Sequence, residues 1–234
     1  MSTIAIMQPY LFPYIGYYHL LAAAETFVFY DDVNFMKGSY INRNQILTKN
    51  GPLRFTLSLD GAGSNKLINE ISLSNRKDKC LTQIENSYRR APYFEEAFAL
   101  VQRCYNSEKR QLSDFLFTSI KTLSDALGLE TKILRSTELE YNRDLKGQDK
   151  VIELCKMLAA ETYVNAIGGK DLYDHESFNK KGLQLNFINP VQEAYTQYLS
   201  SEDFVPYMSI IDTLMFCGIE KTASMIKKNY TLEA

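Results

Sequence analysis

Polar side chains that could do chemistry are concentrated in the first 44 residues. Gln8 follows the apolar run Thr3–Met7, and the adjacent carboxylates Asp31 and Asp32 follow a second run, Thr26–Tyr30. Ligands of open α/β sheets bind beyond the carboxyl ends of the strands, so these side chains are predicted to converge on one crevice. The two carboxylates could act there as a base, as a metal ligand or as an anchor for a sugar hydroxyl or amine. The alternative interpretation is an Asx turn that caps the following segment.

A second polar group lies slightly further along the chain, where Asn42, Arg43 and Asn44 are consecutive and Lys37 is nearby. A guanidinium group pairs bidentately with phosphate or carboxylate, and an amide both donates and accepts hydrogen bonds. This pattern predicts an anion grip for a nucleotide diphosphate or a phosphopantetheine. The competing interpretation is a salt bridge from Arg43 to one of the two carboxylates.

The hydrophobic periodicity predicts an α/β fold with a mostly parallel sheet, flanking helices and a helical middle region. The predicted strands are Thr3–Met7, Thr26–Tyr30, Leu53–Leu59 with a hairpin partner at Ile68–Leu73, Lys132–Leu134 and Thr162–Asn165. The predicted helices are Tyr14–Ala24, Phe94–Tyr105, Leu112–Leu127, Val151–Leu158 and Tyr207–Phe216. We expect one domain over residues 1–234, with a helical insertion or subdomain at about 76–128.

Composition excludes several classes of function. A net charge of -2 and a pI near 5.8 create no general attraction for nucleic acid or anionic membranes. The apolar run Leu20–Ala24 is far too short to span a bilayer, and no secretory signal is recognisable, so we expect a cytoplasmic protein without membrane insertion. The four cysteines form no C-x-x-C pair, and we expect buried thiols, no metal site and no tightly bound cofactor.

Several sequence blocks resemble the WbqC-like protein family. The most specific block is Ile6–Tyr17, which reads IMQPYLFPYIGY, followed by Tyr30–Phe35 and Asn42–Asn44. The resemblance continues through Ala91–Phe94, Gly128, Tyr195-x-Gln197 and Ser209–Asp212. It therefore covers nearly the whole chain.

The resemblance implies a role in bacterial surface-glycan assembly, because the family is associated with O-antigen gene clusters, often near sugar aminotransferases. It implies a transferase that acts on an amino-sugar nucleotide by N-acyl or aminoacyl transfer, with acyl-CoA or an acyl carrier protein as donor. Together with the patterns above, it assigns Asp31, Asp32, Tyr17 and Lys37 to catalysis. It assigns to substrate binding Gln8, Tyr10, Tyr14, Asn42, Arg43, Asn44, Tyr195, Gln197 and Asp212.

Two other functions compete with this hypothesis. A first strand, a proline-containing loop and then Gly16-Tyr17 at the start of a helix loosely resemble the cytidylyltransferase layout. In that layout a Gly-His pair grips phosphates at the helix N-terminus, but a tyrosine supplies no positive charge. The third hypothesis is a non-catalytic partner of a glycan-pathway enzyme, for which exposed tyrosines would suit an interface.

Overall fold

The computed structural model describes residues 2–74, 78–105, 109–198 and 204–234. The strands in chain order are β1 (Thr3–Met7), β2 (Thr26–Phe29), β3 (Arg43–Thr48), β4 (Gly51–Thr56), β5 (Leu59–Asp60), β6 (Ser72–Leu73), β7 (Lys132–Arg135), β8 (Thr162–Ala166), β9 (Gln184–Pro190) and β10 (Tyr230–Glu233). The α-helices are α1 (Ile15–Ala22), α2 (Asp78–Tyr88), α3 (Phe94–Tyr105), α4 (Leu112–Ala126), α5 (Gly147–Met157), α6 (His175–Asn179) and α7 (Ile210–Lys228).

Within the described residues, six strands form the main sheet in the order β10-β9-β8-β1-β2-β7. All neighbouring pairs are parallel except β9 with β10. Short connections cannot join parallel strands, so helices cross between them. The predicted α/β class, with a mostly parallel sheet and flanking helices, is confirmed.

The two faces of the sheet pack into separate apolar layers. Phe27 and Phe29 contribute to the larger layer, which also contains residues of α1, α3, α4 and α7. Ile4, Ile6 and Val28 contribute to the smaller layer, which contains residues of α5 and α6. Strands covered on both faces read as continuous apolar runs, which is why β1 and β2 were recognisable in the sequence.

Three local predictions need correction. The polar triplet beginning at Asn42, for which no strand was predicted, contributes Arg43 and Asn44 to β3, which pairs with β4 in an antiparallel hairpin. The predicted hairpin between Leu53–Leu59 and Ile68–Leu73 forms only at its ends, where Leu59 in β5 pairs with Leu73 in β6. The last helix begins at Ile210 rather than Tyr207, since Tyr207 has a φ of 61° and Ser209 caps the helix.

Candidate functional site

The order of the sheet strands reverses between β1 and β8. From β1 the chain proceeds in one direction to β2 and β7, whereas β8 and β9 lie on the other side of β1. In doubly wound sheets, the crevice beyond the carboxyl ends at such a reversal is the usual ligand site. Gln8 follows β1 at this position, is half-buried, and makes no side-chain hydrogen bond to any described residue. Its amide is therefore free to contact a ligand.

Asp31 is fully buried beside this edge and is saturated by protein partners. Its Oδ2 accepts hydrogen bonds from Arg135 Nη2 at 3.0 Å and from the Ser113 hydroxyl, and its Oδ1 accepts one from Ser136 Oγ at 3.2 Å. Arg135 also pairs with Asp114 at 2.6 Å. Asp31 thus links the end of β2 to the end of β7, and its charge is already neutralised.

Asp32 has a different environment, although it is also buried. Its Oδ1 accepts a hydrogen bond from Ser136 Oγ at 2.6 Å. Its Oδ2 accepts from the Tyr141 hydroxyl at 2.5 Å and from Arg143 Nε at 3.2 Å, and it lies 3.9 Å from Lys150 Nζ. Two basic side chains therefore flank the Asp32 carboxylate, whereas Arg135 alone faces the two carboxylates Asp31 and Asp114, so the charges along this edge balance. Arg143 is the half-exposed member of the cluster, so its guanidinium is the group that an anionic ligand can reach.

Lys150 is unusual in this cluster because the side chain of a lysine is rarely so deeply buried. It lies in the first turns of α5, its side chain is only 10% exposed, and its ammonium group is 5.2 Å from the ring centroids of both Tyr30 and Tyr141. Burial lowers the pKa of Lys150, and the Asp32 carboxylate opposes that shift. Such a lysine can release its proton more readily than an exposed one and can bind an anion in a dry environment.

Sequence reasoning missed Lys150, Arg143 and Tyr141. Lys150 directly precedes Val151 and lies four residues before Leu154, so it falls on the apolar stripe of α5. A lysine on the buried apolar stripe of a helix is unusual, and this position could have identified Lys150 as a candidate site residue. Arg143 and Tyr141 carried no such signal, because they lie in an irregular segment more than 100 residues away from Asp32.

Tyr17 is buried inside the core rather than directed at the crevice. Its hydroxyl donates a hydrogen bond to the carbonyl oxygen of Gln8 at 3.1 Å, and burial raises its pKa well above the ordinary value. A Cβ added to Gly16 would overlap the ring of Tyr14, so an aromatic side chain covers the start of α1. The ring of Tyr10 is half-buried and lies against those of Tyr17 and Tyr40.

The predicted anion grip holds backbone instead. Asn44 Nδ2 donates to two carbonyl oxygens of the β1–α1 loop, at 2.9 and 2.8 Å, and Asn42 Nδ2 donates to Leu57 O at 3.0 Å. Arg43 donates to the carbonyl of Gly38, and the alternative salt bridge to Asp31 or Asp32 is wrong because those carboxylates pair with Arg135, Arg143 and Lys150. The side chain of Lys37 is exposed and makes no ion pair with the described residues.

Tyr195, Gln197 and Asp212 meet in a second cluster. The buried Asp212 carboxylate accepts hydrogen bonds from Tyr88 at 2.7 Å, from Tyr195 at 2.8 Å and from Gln197 Nε2 at 2.7 Å. Burial raises the pKa of Asp212, and its three donors oppose that shift. Among the described residues, no hydrogen bond or ion pair joins this cluster to the one around Asp32. The three donors to Asp212 come from α2 and from the segment before α7, so the cluster joins these two parts of the chain to α7.

Three further features concern the described residues. Among them, no three His, Cys, Asp or Glu side chains converge in a way that could hold a metal ion. All four cysteines are buried thiols, as expected, and none of them forms a disulfide. None of the helices in the described part of the chain has both the length and the hydrophobicity needed to cross a membrane.

Comparison with known proteins agrees with the sequence blocks. The family model of the WbqC-like protein family matches residues 8–224. The chain is also 26% identical over 226 residues to the Uncharacterized protein Rv1507c of Mycobacterium tuberculosis, covering 94% of this chain and 96% of that relative. No solved structure matches with statistical significance. Because the family model spans most of the chain, this protein belongs to the WbqC-like protein family.

Proposed function

We propose that the protein is a transferase that acts on a nucleotide-linked amino sugar in the assembly of bacterial surface polysaccharide, by N-acyl or aminoacyl transfer. One observation carries the proposal: Asp32, Arg143 and Lys150 form a cluster at the carboxyl edge of a doubly wound sheet, and the Arg143 side chain in it is half-exposed. This edge is where such sheets bind nucleotides and related ligands. The diphosphate of a nucleotide sugar pairs with the exposed side of the Arg143 guanidinium.

Each member of the cluster has a separate role in this proposal. Arg143, whose side chain is half-exposed, binds the diphosphate from the solvent side, and Tyr30 and Tyr141 offer aromatic faces. Asp32 positions Arg143 and Lys150 rather than contacting the substrate, because its oxygens already accept hydrogen bonds. Asp31 supports the cluster indirectly, because it pairs with Arg135 and accepts a hydrogen bond from Ser136.

The chemistry of N-acyl transfer requires a proton acceptor. The ammonium group of the sugar must lose a proton before its nitrogen attacks the thioester carbonyl of the donor. The new C–N bond then forms as the C–S bond breaks, and the thiolate leaves with a proton. In the proposed reaction Lys150 accepts the first proton: it starts as a neutral amine, which burial favours by lowering its pKa, and becomes a cation beside Asp32 once the proton has been transferred.

The geometry gives less support to nucleotidyl transfer. That reaction would use the start of α1 to grip phosphates, but the ring of Tyr14 covers Gly16 and the hydroxyl of Tyr17 is bonded inside the core. In our proposal the phosphates bind instead beside Arg143 and Lys150, near the start of α5. We therefore retain group transfer to the sugar as the proposed reaction.

The proposal is tested by incubating the protein with amino-sugar nucleotides and with acyl-CoA or charged carrier protein, followed by mass spectrometry. We expect a mass increase equal to the acyl or aminoacyl group in the wild type, and loss of at least 100-fold in rate for Lys150→Met. Because a buried lysine contributes to folding, the half-exposed Arg143→Gln is the second variant. It should weaken nucleotide-sugar binding about tenfold or more, as expected for a charge-assisted hydrogen bond.

Lys156→Gln is the matched control, since Lys156 lies on the exposed face of the same helix α5. This variant should keep binding and rate within about twofold of the wild type. Absence of a mass shift across the donor panel would reject the reaction. Release of pyrophosphate from CTP or ATP with a sugar phosphate would instead support nucleotidyl transfer.

A further inference from the structure

Two open grooves adjoin each other on the face formed by the β3–β4 hairpin and α2, away from the cluster around Asp32. One groove, of about 570 Å³, lies between β4 and the start of α2; the other, of about 410 Å³, lies between the hairpin turn and the end of α2. They share Gln83, so together they form one depression, which we call the basic groove. It is lined by five cationic residues: Lys49, Arg54, Lys79, Arg89 and Arg90.

These five charges are not neutralised within the described chain. No carboxylate lines either part of the basic groove, and no ion pair joins any of the five to a described carboxylate. The whole chain has a net charge of -2, to which these residues contribute +5, so the rest of the chain carries -7. A positive strip on a protein with a net negative charge attracts negatively charged partners and directs them to this part of the surface.

The floor of the groove contains apolar surface between the charges. Leu53 is 36% exposed, and the ring of Tyr198 stacks on that of Tyr88 while its hydroxyl donates to Ser87 O. Tyrosine and arginine are enriched at the energetic centres of protein interfaces, whereas lysine and small polar residues usually form the rim. The groove therefore has the anatomy of a protein interface.

We propose that the basic groove binds an acidic, amphipathic helix of a partner protein. From Lys79 to Arg90 the strip follows α2 and the two residues after it, a length of about 16 Å, which equals about three turns of an opposing helix. Acidic side chains of that helix pair with the five cations, and apolar side chains contact Leu53 and Tyr198. A concave surface suits a helix better than a flat membrane. A duplex nucleic acid would extend beyond the groove over the rest of the chain, whose net charge of -7 repels it, whereas a helix of about three turns stays within the groove.

The test uses a synthetic helical peptide of about three turns, with glutamates on two sides of a leucine stripe, and measures binding by fluorescence anisotropy. The double variant Arg89→Glu/Arg90→Glu should weaken binding at least tenfold. A matched control, Lys156→Glu/Lys181→Glu, makes the same change in net charge at exposed positions outside the groove and should change binding less than twofold. A peptide with lysines in place of the glutamates should bind the Arg89→Glu/Arg90→Glu protein better than it binds the wild type.

Equal losses in both double variants, or no rescue by the lysine peptide, would overturn the proposal. Vesicles containing anionic lipid and a 20-base-pair duplex are included as further probes. Tighter binding of either one than of the peptide, lost selectively in Arg89→Glu/Arg90→Glu, would assign the groove to a membrane or to nucleic acid and would also overturn it. The assay needs no turnover, so its result is independent of the transferase test.

Discussion

Asp31 and Asp32 are adjacent in sequence but have distinct roles. The side chain of Asp31 is completely buried and neutralises Arg135, whose own side chain is 18% exposed. Asp32 instead lies between Arg143 and Lys150, of which Arg143 is half-exposed. A pair of carboxylates that looks equivalent in the sequence therefore divides into a structural anchor and a residue that positions a candidate binding site.

The anchor role predicts a large effect of Asp31→Asn on stability. This change leaves Arg135 with a buried charge that only Asp114 compensates, and breaking a buried pair in this way typically costs about 3–5 kcal/mol of unfolding free energy. Urea denaturation measures the loss. Asp114→Asn is the control, because that side chain is 33% exposed and its removal should cost about 1 kcal/mol or less. Similar losses of unfolding free energy in Asp31→Asn and Asp114→Asn would contradict the role of Asp31 as a structural anchor.

At the scale of elements, the β1–α1 loop depends on parts of the chain far from it. Phe12, in this loop, has a φ of 41°, a conformation that costs a residue with a side chain about 1 kcal/mol or more. Its carbonyl oxygen accepts hydrogen bonds from Asn44 Nδ2 at 2.8 Å and from Ser209 Oγ at 2.7 Å. The loop that carries Gln8 is therefore held in place by β3 on one side and by the cap of α7 on the other.

Asn44→Ala should destabilise the protein by roughly 2–3 kcal/mol, because it removes the donor that two buried carbonyls of this loop share. Thermal and urea unfolding report the loss. Asn42→Ala, which removes a single hydrogen bond to Leu57 O at a half-buried position, should cost about 1 kcal/mol. If Asn44→Ala left stability unchanged but abolished binding of a nucleotide sugar, the original prediction of an anion grip would be restored.

At the scale of the whole molecule, one buried histidine gives stability a dependence on pH. His19 is fully buried on α1 with its ring near Tyr230 of the last strand, and burial lowers its pKa from 6.5 to about 4. The unfolded chain therefore binds a proton near pH 6.5, whereas the folded chain does not until about pH 4. Folding stability is thus fully retained above pH 6.5 and falls as the pH drops to 4, by about 2–3 kcal/mol.

His19→Phe should remove this slope, because phenylalanine fills a similar volume and does not titrate. Urea denaturation between pH 4 and pH 7.5 measures the difference between the variant and the wild type. His175→Gln serves as the control for removing a histidine at a half-buried position. An unchanged slope in His19→Phe would show that other groups cause the acid sensitivity.

The parts of the molecule that the sequence could predict are those with local causes. β1 and β2 are short apolar runs, and α4 repeats apolar residues every three or four positions, so each is visible within its own segment. The end of α4 also has a local cause, because Gly128 follows it with a φ of 62°, the left-handed conformation in which glycine commonly ends a helix. β3 was missed because its first residues are polar, and their pairing with β4 outweighs that preference.

The candidate site was harder to predict because its partners meet over long distances in the chain. Asp31 and Asp32 were identified, but Arg135, Tyr141 and Arg143 join them only when β7 lies beside β2. Asn44 was selected for its side chain, yet its function in the fold is defined by Leu11 and Phe12, more than 30 residues earlier. Residue types therefore indicated where polar chemistry occurs, whereas the pairing of strands determined which groups meet.

The position of β1 in the middle of the sheet has a consequence for how the protein is made. One side of β1 pairs with β2, only about twenty residues later, but the other side pairs with β8, where Thr3 lies opposite Thr162. During synthesis that second side has no partner until more than 160 residues have been added, so the emerging chain exposes an apolar strand edge for several seconds or longer. We therefore expect this edge of β1 to be open to pairing with other chains until β8 has been synthesised.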